Sequence, residues 1–182
     1  MKKIPLLFSI PLFFLMPSCG GGDNQSNQAT NADTAGTYVT EQPAAAYDAT
    51  KIDANAPVME ISLEALGNTM DVMSFSTAEI RVKSGTTVKI HFVNKATDAA
   101  MKHNFFIVKN GKAEAVATAA ISAGPDKNFV PDDKSDILFT SNVLDPGQSE
   151  ELMFAAPPAG TYQFVCTYPG HWQRMNGKFI VE

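Results

Sequence analysis

Apolar and polar residues begin to alternate at Met59. Met59, Ile61, Leu63 and Ala65 interleave with Glu60, Ser62 and Glu64, which predicts a half-buried strand. Met70 to Ser76 and Ile80 to Val82 read as one further strand with a break, followed by a turn at Ser84-Gly85. Val88, Ile90 and Phe92 then alternate with Thr87, Lys89 and His91. That phase turns His91 away from the core, as a solvated strand histidine. Asn94 to Met101 is a loop, and Asn104 to Lys109 is the next strand, ended by Asn110-Gly111. Shorter strands are predicted over 136–140, 150–155, 161–165 and 177–181, with turns at Asp145-Pro146-Gly147 and Pro157-Pro158-Ala159-Gly160.

One stretch breaks the period of two. Ala113 to Ala123 is alanine-rich and stops at Gly124-Pro125, the punctuation of a helix C-terminus. About eight strands at regular spacing with one short inserted helix predict an all-β antiparallel sandwich or barrel.

Upstream of residue 57 the pattern disappears. Lys2 and Lys3 precede an apolar run, Ile4 to Met16, that Pro5 and Pro11 interrupt, the layout of a secretory signal. Leu15-Met16-Pro17-Ser18-Cys19 resembles a bacterial lipobox, which implies a signal over 1–18 and lipidation of Cys19. Residues 19–56 are rich in Ala, Thr, Gly, Asn and Asp and poor in large aliphatic residues, the composition of a tether. The folded domain is expected over 57–182. The expected location is the bacterial cell envelope, lipid-anchored and facing the periplasm or the cell surface.

Composition narrows the function classes. The net charge is -5 over 182 residues, and no basic helix or lysine-rich block is present, so nucleic acid is not an expected partner. The chain has no Gly-rich phosphate loop, no Gly-x-Ser-x-Gly elbow and no Cys-x-x-Cys pair. The two cysteines, Cys19 and Cys166, lie in stretches with different tasks, which argues against a disulfide framework.

Chemistry concentrates in Val165-Cys166-Thr167-Tyr168-Pro169-Gly170-His171-Trp172-Gln173-Arg174-Met175. A thiol, an imidazole and a thioether at Cys166, His171 and Met175 are soft or borderline donors, suited to copper rather than to magnesium or calcium. A blue-copper site needs a second imidazole, and His103, in Met101-Lys102-His103-Asn104, is the candidate.

These two segments resemble the copper-site motifs of the azurins and auracyanins, small type 1 (blue) copper proteins of the cupredoxin family. The resemblance extends through the inserted helix and Asn128-Phe129-Val130-Pro131-Asp132-Asp133, over most of residues 58–182. It implies a Greek-key β-sandwich holding one copper ion, with His103, Cys166 and His171 near one plane and Met175 weak and axial. It places the Lys102 carbonyl on the opposite axis, where azurins usually have glycine. It also makes the backbone N–H groups of Asn104 and Tyr168 donors to the sulfur, and has the Asn104 side chain tie its strand to the loop near Thr167.

The implied function is one-electron transfer between Cu(II) and Cu(I), with no enzymatic reaction. Partners would be c-type cytochromes or membrane respiratory or photosynthetic complexes. His171 is expected near the surface, with Met101, Pro169, Gly170 and Trp172 as an apolar docking patch. A copper chaperone or storage protein and a metal-free interaction sandwich are the competing readings.

Overall fold

The structure, a computed structural model, describes residues 46–182. The expected signal, Cys19 and the tether up to residue 45 lie outside the described residues. Among the described residues, nine strands, one α-helix and one 3-10 turn follow one another in the order β1 (Val58–Leu66), β2 (Ser74–Phe75), β3 (Glu79–Val82), β4 (Thr87–Asn94), β5 (Phe106–Lys109), α1 (Ala113–Ala123), the 3-10 turn (Pro125–Lys127), β6 (Ile137–Thr140), β7 (Ser149–Ala155), β8 (Gly160–Val165) and β9 (Asn176–Val181).

They form two sheets, one ordered β2-β1-β4-β7 and the other β3-β9-β8-β5-β6. The expected strand broken in its middle is in fact two strands in different sheets. Ser74–Phe75 pairs with β1, whereas Glu79–Val82 pairs with β9. The chain changes sheets at Ser76–Ala78, where the Ser76 N–H donates to the Glu64 carbonyl and the Lys178 N–H to the Ala78 carbonyl. The sheets are mixed, not purely antiparallel, because β1 runs parallel to β4 and β3 parallel to β9.

The core lies between the sheets. Leu63, Ala65, Val88, Ile90 and Phe92 point inward from one sheet, and Ile107, Phe164, Phe179 and Val181 from the other. Phe105 and Phe164 stack with ring centroids 5.8 Å apart, and Phe75 meets Phe164 edge-on at 5.3 Å. Close approach makes Gly177 a required glycine, since an added Cβ would collide with the Phe164 ring and the Ala78 carbonyl. His91 lies on the outer face of β4 and is exposed, beside Glu151 of β7.

Residues expected to belong to the tether contact the sandwich. The Tyr47 hydroxyl donates to the Ala155 carbonyl at 2.7 Å, and the Ala155 N–H donates to the Ala49 carbonyl at 2.9 Å. Ala155 pairs with Thr87 at the start of β4, while the loop holding His103 follows the end of that strand. The chain therefore enters the domain at the end opposite the copper-loop candidate. Among the described residues no helix is long and apolar enough to cross a membrane.

Candidate metal centre

Cys166 directly follows β8, and the loop it opens returns to β9 at Asn176. Two backbone bonds close this loop on itself. The Cys166 N–H donates to the Met175 carbonyl and the Met175 N–H to the His171 carbonyl, each at 2.9 Å. Gly170 takes a left-handed φ of 82°, the conformation that lets the chain turn into His171. His103 sits in an isolated bridge with Leu144. Its N–H donates to the Leu144 carbonyl at 3.1 Å, and the Leu144 N–H returns a bond at 2.7 Å.

Folding brings three donor atoms together. Cys166 Sγ lies 3.9 Å from His103 Nδ1 and 3.7 Å from His171 Nδ1, and the two nitrogens are 3.1 Å apart. For a first-row ion with a thiolate at about 2.3 Å and imidazoles at about 2.0 Å in one plane, the sulfur falls about 3.7 Å from each nitrogen and the nitrogens about 3.5 Å from one another. The triangle accepts such an ion if the imidazoles separate slightly. Among the described residues this is the cluster of His, Cys and carboxylate donors that could hold a metal. Met175, the last residue of the same loop before β9, is fully buried.

Burial sets the protonation states. It pushes the Cys166 thiol up to about 12, against the opposing pull of N–H groups donated by Asn104 and Tyr168. It lowers His103 to about 4, with His171 adding to the effect, and lowers His171 to about 4. At neutral pH the metal-free triangle is a thiol and two uncharged imidazoles. With Nδ1 of each ring facing the sulfur, the set offers two nitrogen lone pairs and, on losing one proton, a thiolate. His103 Nε2 is buried without a hydrogen-bond partner among the described residues.

Two asparagines brace the ligand-bearing segments. Asn104 Nδ2 donates to Thr167 Oγ1 at 2.9 Å, and the Thr167 N–H donates to Asn104 Oδ1 at 2.7 Å, joining the segment after His103 to the residue after Cys166. Asn94, which sequence reasoning left at a loop boundary, is fully buried. Its Nδ2 donates to the Met101 and Leu144 carbonyls and its Oδ1 accepts the Ala96 N–H. The signal was present in the phase of β4, where Val88, Ile90 and Phe92 put residue 94 on the core face. A polar residue there must be bonded inside the protein.

His171 is 1% exposed, its ring covered by the residues around it. Met101 is 6% exposed and contributes little surface to an apolar patch; Asn94 Nδ2 holds its backbone carbonyl. Gly170 is exposed, Pro169 and Trp172 are half-buried, and the Met70 side chain lies against Gly170. Met70 and Val72, both exposed, come from the loop between β1 and β2. Lys102 reaches outward to Asp145, with Nζ 2.7 Å from Oδ1.

Residues 61–182 match the model of the copper-binding proteins of the plastocyanin/azurin family. The chain belongs to that family. It is 42% identical over 119 residues to auracyanin-A of Chloroflexus aurantiacus, covering 64% of this chain and 72% of that protein. Azurin of Achromobacter denitrificans is 28% identical over 130 residues, covering 68% of this chain and 87% of azurin. The solved structure of auracyanin A, named a "blue" copper protein, superimposes with a TM-score of 0.61 at 39% identity, over 69% of this chain and 99% of the other. Dithionite-reduced auracyanin from Roseiflexus castenholzii gives a TM-score of 0.61 at 36% identity, over 70% and 99% of the two chains. The protein is a copper-binding electron carrier with a cupredoxin-like sandwich, and His103, Cys166 and His171 form its candidate copper site.

Proposed function

We infer that His103, Cys166 and His171 would hold the copper of a type 1 centre, with the Met175 thioether and the Lys102 carbonyl as further weak donors. The supporting observation is the buried triangle of one sulfur and two nitrogens, carried on segments that the sandwich holds in place. Copper, when bound, supplies the one-electron couple. The chain's own residues hold the donors together, exclude water, and direct the Asn104 and Tyr168 N–H groups at the sulfur, where they favour the thiolate. A chaperone or store must give its metal up, and a buried loop closed by the Cys166–Met175 pairing favours retention.

Electrons pass to a redox protein docked over Pro169, Gly170 and Trp172, with Met70 supplying the apolar surface that Met101 does not. A c-type cytochrome or a membrane respiratory or photosynthetic complex fits this role, since an apolar rim around a covered ligand lets a partner exclude water at the contact. The test is the electron-transfer rate to a soluble c-type cytochrome. Trp172→Ala and Met70→Ala should slow it with the copper spectrum unchanged, and wild-type rates in both would remove the docking role.

Residues 1–18 act as a lipoprotein signal, Cys19 carries the anchor, and the stretch between Cys19 and the docked Tyr47 tethers the domain in the cell envelope, at the periplasmic or outer face. The lipobox-like run and the entry of the chain opposite the copper loop support this, because the copper end is left open to a partner. Wild-type protein should enter the detergent phase in Triton partitioning and Cys19→Ala should stay in the aqueous phase. Equal partitioning would reject the anchor.

A further inference from the structure

The turn that leaves α1 carries two consecutive non-glycine residues in the left-handed region, Asn128 at φ 53° and Phe129 at φ 55°. Asparagine tolerates that region, but a bulky residue seldom adopts it, and such strain persists only where surrounding structure enforces it. Here backbone bonds hold the turn. The Asn128 N–H donates to the Pro125 carbonyl at 2.8 Å and the Phe129 N–H to the Gly124 carbonyl at 2.9 Å.

The two side chains lead in different directions. Asn128 Oδ1 accepts the Val143 N–H at 3.0 Å, and its Nδ2 donates to Asn142 Oδ1 at 3.2 Å. Asn142 is held in turn by Glu150, whose Oε1 accepts from Asn142 Nδ2 at 2.6 Å. Val143 immediately precedes Leu144, the residue that pairs with His103 through both backbone groups. Phe129 meets the Tyr168 ring edge-on, centroids 5.2 Å apart at 67°. Tyr168 lies against the His171 ring, 5.1 Å away at 55°. Neighbouring residues of one strained turn thus reach the two imidazoles of the site by separate routes.

We propose that Asn128 and Phe129 form a clamp that sets the position of His103 relative to His171. Both are positioning residues: Asn128 acts through Val143 and Leu144, and Phe129 acts through Tyr168. The two imidazole nitrogens stand 3.1 Å apart on separate segments of the chain. Contacts outside the site that join those segments help to fix that spacing. Asn104 joins the His103 segment to the Cys166 end of the loop, and the clamp joins it to the His171 end. The left-handed pair is the geometry that lets one short turn send adjacent side chains to both places.

The double variant Asn128→Gly/Phe129→Gly removes both side chains while allowing the backbone its left-handed conformation. It should release copper to excess chelator about tenfold faster than wild type, the low end for loss of a supporting contact around a metal. Its Cu(II) electron paramagnetic resonance hyperfine coupling should change, and in the metal-free protein the imidazole resonances of His103 and His171 should broaden. Phe129→Tyr keeps the edge-on ring and should retain wild-type values. Val116→Ala, a change on the buried face of α1, should lower thermal stability without altering the release rate or the hyperfine coupling. If the double variant does not fold, Phe129→Leu carries the same prediction, because it fills space without the aromatic edge. A folded variant with wild-type copper release and an unchanged resonance spectrum would overturn the proposal.

Discussion

Cys166 is buried beside two uncharged imidazoles, so the copper ion must displace a proton to gain its thiolate. With the thiol pushed up to about 12 and both histidines lowered to about 4, only the sulfur must give up a proton to bind the ion at neutral pH. Titration of the metal-free protein with Cu(II) in weak buffer at pH 7 should release about one proton per copper. Release of two or more would mean that an imidazole is charged before binding. Gly170 gives a second prediction. A Cβ there would lie 2.8 Å from the Met70 methyl carbon and would force an L residue into φ 82°. Gly170→Ala should lower stability by about 1–3 kcal/mol. Thermal unfolding of Gly170→Ala with and without Met70→Ala separates the two causes, because the second change relieves only the collision. Cys166, His171 and Met175 were legible as residues because one loop carries them all. The contact of Met70 with Gly170 was not, since the two residues lie about a hundred positions apart in the chain.

Between elements, the connection that matters most joins the entrance of β5 to the exit of β8. Asn104 and Thr167 exchange two buried hydrogen bonds there. Asn104→Ala should cost about 2–3 kcal/mol, because the Thr167 N–H is left buried without an acceptor. Asn104→Asp keeps the acceptor and should fall between. Chemical denaturation of the three metal-free proteins checks the order, and equal stabilities would mean the bridge contributes nothing. Element identity was largely legible. The helix occupies the predicted residues 113–123, since its alanine content and the Gly124-Pro125 stop are local signals. The division of 74–82 between two sheets was hidden for the opposite reason. Both pieces show the same alternation, and only their partners, β1 for one and β9 for the other, distinguish them.

Across the whole molecule, strand direction was the property that the pattern did not carry. A strand with one buried face alternates in the same way whether its neighbour is parallel or antiparallel, so the β1·β4 and β3·β9 pairings left no mark in the sequence. The resemblance to cupredoxins carried the architecture further than alternation did. Stability should also respond to pH as a molecular property. The ordinary histidine value is about 6.5, and His103 and His171 are lowered to about 4 in the folded protein. The unfolded chain therefore takes up protons that the folded chain refuses. Their contribution to stability is complete above about pH 6.5 and is lost as the pH falls toward about 4. Denaturant midpoints of metal-free protein should fall over that window, and by less in His103→Gln/His171→Gln. An equal fall in both proteins would assign the acid sensitivity to other groups.

The copper assignment itself is tested most directly by the absorption spectrum of purified metal-free protein during stepwise addition of Cu(II). The wild type should develop an intense visible band from thiolate-to-copper charge transfer that saturates at one copper per chain, and Cys166→Ser should develop none. A wild-type protein that stays colourless after a full equivalent of Cu(II) would contradict the assignment.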